Sequence, residues 1–323
     1  MKDYILLYGD KKQEDNICIK NMFKENVKIN LGWTENDNKK NIKLINEHIK
    51  EGVKQLIFLG LEIGWGNLIR DLKKDNNDII IKVICNTQDS LLYYDYEREN
   101  FFEMLSLSKE NIIQEIAFLR KGQYEVYKQL GYNCSYLMPN YILSQENKKE
   151  AKKENNIIDI GIYPLNYTWD KNIFNQLCIA KFIENSNVNY NKLDERMTEF
   201  LTTMNIKSTV DKIDNIDEEN VIKKVIKNDI NIACSFTEYI NTIFLISMEQ
   251  GVPCLMGNTS DFFEEDSELK KHIVTLAEDN CIINSKKAME CIKNKNKIMD
   301  LYVKWKEEYN KKAEENKQAF LKK

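Results

Sequence analysis

The chain has 323 residues, and its 47 Lys plus Arg stand against 51 Asp plus Glu, a formal net charge of −4. That balance lacks the basic excess that a nucleic-acid binder held by counterion release needs. With 42% hydrophobic and 30% charged residues, the sequence is also too apolar for a disordered chain, and at this length a single core usually splits, so two domains are expected.

Short apolar, β-branched runs alternate with amphipathic stretches, the rhythm of parallel α/β layers. In the first half the expected strands are 4–8, 27–31, 55–59, 79–85 and 135–138, with helices at 40–50 and 67–74 and a helical pair over 109–130 closed by Gly131. The polar stretch SQENKKEAKKENN, 144–156, has no apolar face and reads as a linker. Beyond it the rhythm restarts: strand 157–163, helices 171–184, 192–204 and 218–227, strand 230–234, helix 241–250 and strand 253–255. A terminal helix carries Ile298, Leu301, Tyr302, Trp305 and Tyr309 on one face. Such a stripe packs on a core, on a partner helix or on a membrane surface, and the core is the plainest of the three. The expected architecture is α/β: a Rossmann-like domain over 1–143, the linker, a second Rossmann-like domain over 157–297 facing the first across a cleft, and the helix 298–323.

Arginine supplies only Arg70, Arg98, Arg120 and Arg196, while Lys, Asn and Ile abound, as in a chain from an AT-rich genome. The eight cysteines include no C-x-x-C pair and mostly sit in apolar runs, and the two histidines, His48 and His272, lie near no cysteine cluster, so neither a disulfide framework nor a metal site is expected. MKDYILLYGD enters a strand pattern directly and no apolar run approaches 18 residues, from which a cytoplasmic location is expected.

The most informative segment is 233–263, ACSFTEYINTIFLISMEQGVPCLMGNTSDFF. It reads as a buried strand, a loop with Glu238, an apolar helix starting near Asn241, a stop at Gly251 and a short strand. In open α/β sheets ligands bind at strand C-termini, where helix N-termini attract anions. Thr237, Tyr239, Ile240, Asn241 and Thr242 are therefore placed to hold a diphosphate, and Glu238 suits sugar hydroxyls. A solvated surface loop is the bland alternative. After the strand 157–163, Lys171 with Asn172 and Asn175 opens the next helix, where a cation would neutralise a phosphate.

These residues resemble the retaining GT-B glycosyltransferases, whose donor domain carries a Glu, seven residues, a second Glu and a G-x-P. Glu238 matches the first Glu and Gly251-Val252-Pro253 the G-x-P, while the second Glu falls on Ile246 and the glycines after the first are Tyr239, Ile240 and Asn241. The T-E and G-V-P-C-L-M-G-N portions are similar to a bacterial branch with a T-E-C-F-P type loop. The resemblance implies a catalytic Glu238, a donor site of Lys171, Asn172, Thr237 and Tyr239 to Thr242, and Glu249 one turn past Ile246 as a stand-in for the second Glu. It implies a metal-independent hexosyl transfer, with a nucleotide sugar as co-substrate and no cofactor, to a glycan, lipid or protein acceptor in cell-surface glycan or glycoconjugate synthesis. Ile246 and the missing glycines leave open a non-catalytic GT-B partner subunit, and a nucleotide-sugar epimerase of the same fold is the third reading.

In the first half, Gly9-Asp10 and GLEIGWG, 60–66, follow strands. The glycine spacing does not match G-x-G-x-x-G, so the glycines are read as permitting close backbone approach. Glu62, Trp65 and Asn67 are expected to line the acceptor side of the cleft, and Asp10 stands where an inverting enzyme could keep a general base; a turn Asp and a packing Trp are the alternatives. Asp95-Tyr96-Glu97 resembles the acidic metal motif of the GT-A fold, but the two-lobed rhythm contradicts that fold.

Overall fold

The structure is a computed structural model that describes residues 3–9, 13–139, 156–213 and 218–322, with the side chains of 13–17 left aside. Asp10 and 144–155 of the expected linker lie outside these residues. Contacts divide the chain into one unit of Met1–Tyr141 with Lys311–Lys323 and another of Ile142–Asn310.

In the first unit the elements run β1 (Tyr4–Tyr8), α1 (Gln13–Met22), β2 (Asn26–Lys28), α2 (Glu35–Lys50), β3 (Gln55–Leu59), α3 (Trp65–Asp75), β4 (Ile80–Cys85), α4 (Asp95–Lys109), β5 (Glu115–Phe118), α5 (Lys121–Gln129) and β6 (Cys134–Tyr136). The sheet is parallel with order β2-β1-β3-β4-β5-β6. Leu7, Phe58, Trp65, Leu68, Val83 and Phe118 belong to one of its core clusters. Thr34 and Asp37 form a reciprocal capping box that starts α2. The expected helical pair over 109–130 is corrected here: Glu115–Phe118 is a strand, since a short continuous apolar run fits a buried strand and a buried helix turn equally well.

The second unit contains β7 (Ile158–Ile162), α6 (Ile173–Ile179), β8 (Ser186–Tyr190), α7 (Glu195–Thr203), β9 (Ser208–Val210), α8 (Glu218–Val225), β10 (Ile230–Ala233), α9 (Thr242–Glu249), β11 (Cys254–Gly257), α10 (Glu268–Ile273), β12 (Val274–Thr275), α11 (Cys281–Lys293) and the start of α12 (Lys295–Lys322). Its parallel sheet has the order β12-β11-β10-β7-β8-β9. Strand β8 escapes a sequence reading because Asn187 and Asn189 break its apolar pattern; Asn189 Nδ2 donates to Asn228 Oδ1 at 2.8 Å and Asn187 Nδ2 to Asp159 Oδ1 at 3.2 Å. Helix α9 is buried all round from Thr242 to Met248, as a central helix must be.

The aromatic stripe of α12 closes this unit's core. Ile298 and Tyr302 are buried, Trp305 stacks on Tyr309 at 4.9 Å between centroids, and Trp305 Nε1 donates to Phe262 O at 3.0 Å. A membrane surface or partner helix is thus not what this face meets. No described helix is long and apolar enough to cross a membrane.

The last turns of α12 complete the first unit. Lys82, 1% exposed on β4, donates to Phe320 O, sits 4.8 Å from the Phe320 ring and pairs with Glu115 at 3.4 Å. Gln55 Nε2 donates to Leu321 O at 2.9 Å, and Asn316 takes the Met138 N–H at 2.8 Å while donating to Tyr136 O at 3.0 Å.

Candidate functional site

In the second sheet, chain order reverses between β7 and β10, the kind of point at which open α/β sheets bind ligands, and the loops leaving the C-terminal ends of these two strands meet there. The loop after β7 contains a single 3-10 turn, Trp169–Lys171, and then Asn172, whose φ of 53° lies in the left-handed region. Asn tolerates that region better than most residues, and its side chain fixes the loop: Nδ2 donates to Cys234 O at 2.9 Å and Glu278 O at 2.8 Å, and Oδ1 accepts from Asn175 at 2.6 Å. The loop after β10 is tied to it by Phe236 N donating to Asp170 O at 2.8 Å.

Two charges meet between these loops. Lys171 Nζ lies 3.0 Å from Glu238 Oε1, with side chains 11% and 12% exposed, and Ser235 Oγ donates to Glu238 Oε2 at 2.9 Å. One carboxylate offers about four acceptor positions, so Glu238 keeps capacity for further donors. Asp170 beside Lys171 is 3% exposed and its Oδ1 has no hydrogen-bond partner. Burial pushes the Cys234 and Cys254 thiols well up, so both stay protonated core groups. Among the described residues no three His, Cys, Asp or Glu side chains are grouped to hold a metal ion.

The other expected donor-site residues are placed differently. Asn241 and Thr242 are each 1% exposed, and Asn241 caps α9: Oδ1 accepts from Phe244 N at 2.9 Å while Nδ2 donates to Ala233 O at 2.9 Å. Ile240 and Tyr239 are buried, and Thr237 is half-buried. Asn172 holds its two loops together rather than presenting a free amide. Glu249 corrects the sequence expectation most clearly. It ends α9, about 11 Å along the axis from the first turn, and accepts from Tyr302 Oη at 2.6 Å and Lys306 Nζ at 2.8 Å, which removes it from any ligand bound near Glu238. Ile246 is fully buried.

In the first unit, the loops after β1 and β3 also flank a reversal of strand order. Trp65 does not line a cleft: it is fully buried, packs edge-on to Phe58 and donates from Nε1 to Asn30 O at 2.9 Å. Glu62 is 4% exposed and accepts the Tyr96 hydroxyl, whose pKa burial and the adjacent carboxylate raise. Asn67 is exposed. The glycines here serve the protein's own backbone, since Gly64, at φ 77°, lies against the Gly32 carbonyl where no Cβ fits. Asp95 pairs with Arg98 and Glu97 accepts from Thr87 Oγ1 at 3.0 Å.

Sequence reasoning passed over Ser235 and Asp170 as site residues; the i, i+3 spacing of Ser235 and Glu238 and the adjacency of Asp170 to Lys171 are the signals that carry them.

No protein-family model matches the chain, and no curated protein matches it by sequence. Solved structures do match. A UDP-forming trehalose-phosphate synthase from Burkholderia xenovorans aligns with TM-score 0.63 at 7% identity over 100% of this chain and 99% of its own. The fold is GT-B. Sucrose-phosphate synthase from Thermosynechococcus elongatus aligns with TM-score 0.62 at 10% identity, over 98% of this chain and 94% of that one. HepE from Anabaena, solved in complex with UDP, aligns with TM-score 0.62 at 9% identity over 99% and 100%. In GT-B terms, both units are α/β layers with six-stranded parallel sheets, and the Lys171–Glu238 pair belongs to the second.

Proposed function

We propose that the chain transfers a hexosyl unit from a nucleoside diphosphate sugar to a hydroxyl acceptor. The observation that carries this reading is the buried Lys171–Glu238 pair at the reversal point of the second sheet. Lys171 offers a cation for the leaving diphosphate, and Glu238, held by Ser235, offers acceptors for sugar hydroxyls. Charge stabilisation by a lysine needs no divalent ion, so activity is expected to be unchanged in EDTA. The T-E loop resemblance supports an acceptor in cell-surface glycan or glycoconjugate synthesis, whether glycan, lipid or protein.

Calorimetric titration with a panel of UDP-, GDP- and ADP-sugars, followed by assay of nucleoside diphosphate release without acceptor, tests the proposal. Binding with slow release is expected, and Glu238→Gln should lower release roughly 10- to 100-fold, as loss of one charged hydrogen bond would. Failure of every nucleotide sugar to bind would sink the reading.

One observation favours a second reading. Ile246 is buried and Glu249 is engaged with α12, so no carboxylate from α9 reaches the place the resemblance gives to the second Glu. A non-catalytic partner subunit follows if nucleotide sugar binds without turnover. No observation favours an epimerase: His48 belongs to α2 and His272 to α10, and neither histidine is part of the loops that carry Lys171 and Glu238.

A further inference from the structure

The two loops that supply Lys171 and Glu238 share a pattern that the charge pair leaves unexplained. Each carries an aromatic residue two positions before its charged one: Trp169 before Lys171, and Phe236 before Glu238. Both rings are substantially exposed, 53% for Trp169 and 41% for Phe236, although the charged groups beside them are nearly buried. That inverts the usual placement of apolar and charged side chains. The rings are also neighbours, with centroids 6.4 Å apart and planes 30° from parallel. The loops that carry them are joined by the bond from Phe236 N to Asp170 O and by the Lys171–Glu238 ion pair.

We propose that Trp169 and Phe236 form a stacking platform for the ring of the transferred sugar. The inference rests on the donor-site reading of Lys171 and Glu238. A pyranose presents polarised C–H bonds on its faces and hydroxyls at its edge. The negative face of an aromatic ring attracts the former, and a carboxylate accepts from the latter. Ligand sites pair apolar walls with a few placed polar groups in this way. The sugar, rather than the base, belongs here because the pyranose is bonded directly to the diphosphate that Lys171 would hold. The base is set off from that diphosphate by a ribose. The two aromatics also supply, from the loops, contact area that the glycine-free segment Tyr239-Ile240-Asn241 does not offer, since its side chains are buried.

The test compares a nucleotide sugar with its own nucleoside diphosphate, beginning with UDP-glucose against UDP and extending to the GDP and ADP pairs, in wild type, Trp169→Ala, Phe236→Ala and Trp169→Phe. Trp169→Ala is expected to weaken UDP-sugar binding about 5- to 10-fold and Phe236→Ala about 3-fold, leaving UDP within 2-fold. Trp169→Phe, which keeps a ring, should restore most of the sugar affinity. Because both rings are exposed, melting temperatures should match wild type. Equal weakening of UDP and UDP-sugar would mean that the rings meet the base, and unchanged binding of both would mean that they meet solvent; either overturns the platform while the function stands. If wild type binds no nucleotide sugar at all, the donor-site reading itself falls and the platform falls with it.

Discussion

At Asn172 one side chain joins three backbone segments while its own backbone sits at φ 53°. Alanine there keeps the left-handed strain and loses both donated bonds, so Asn172→Ala is expected to cost about 2–3 kcal/mol in denaturant unfolding. Glycine would relieve the strain and cost less. Either change should also weaken nucleotide-sugar binding, because Lys171 is adjacent. Lys171→Met should raise the Kd for nucleoside diphosphate by more than about 10-fold, since it removes the cation and leaves Glu238 nearly buried without it. That Lys171 and Glu238 lie in loops after strands was legible because strand ends and helix starts can be read from pattern; that both loops fall at one reversal point is seen only in the strand order. Trp65 and Glu249 were not: which way a side chain points from a loop or a helix end is decided by what packs there, Asn30 and Phe58 for Trp65, Tyr302 and Lys306 for Glu249.

Between elements, β7 and β10 are set by a buried amide network. Asn228 Nδ2 donates to Asn231 Oδ1 at 2.8 Å, Asn231 Nδ2 to Ser247 Oγ at 2.6 Å, and Ser247 Oγ to Val252 O at 2.9 Å, which ties β10 to α9 and to the turn after it. Gly161 on β7 leaves the room, for a Cβ there would overlap Asn231 Oδ1 and Asn228 Nδ2. Gly161→Ala should therefore destabilise by about 3 kcal/mol in a urea melt, at the upper end of overpacking costs. Asn241→Ala removes the cap of α9 and is expected to cost about 1–2 kcal/mol. Helices α2, α3, α9 and α12 and the β-branched strands are visible in the sequence, whereas the strands β8, β9 and β12 are not. Asn187 and Asn189 interrupt one, and the other two have only three and two residues, too few to establish a period.

For the molecule as a whole, buried acids and bases shape its response to pH. Burial, with Cys178 beside it, pushes the Cys281 thiol up to about 11, and burial pushes Cys291 up to about 12, against an ordinary value of 9.0. Both favour the protonated, folded state: their contribution is complete below pH 9 and is lost as pH rises toward 11–12. Thermal melts by circular dichroism should show Tm falling through that alkaline window. In the first unit, Lys82→Met leaves Glu115 buried beside an apolar neighbour, for an expected loss of roughly 3–5 kcal/mol, and the double change with Glu115→Leu should recover most of it.

Lys82 and its acceptor Phe320 are separated by 238 positions. During synthesis the first unit can lay down six strands, yet the amine at its centre waits for its carbonyl until the final turns of α12 leave the ribosome. Vectorial folding of this chain is therefore incomplete in the unit that is made first. A nascent chain still lacking those turns would carry an unsealed sheet with the Lys82–Glu115 pair and the apolar surface around it open to water, a species suited to chaperone capture.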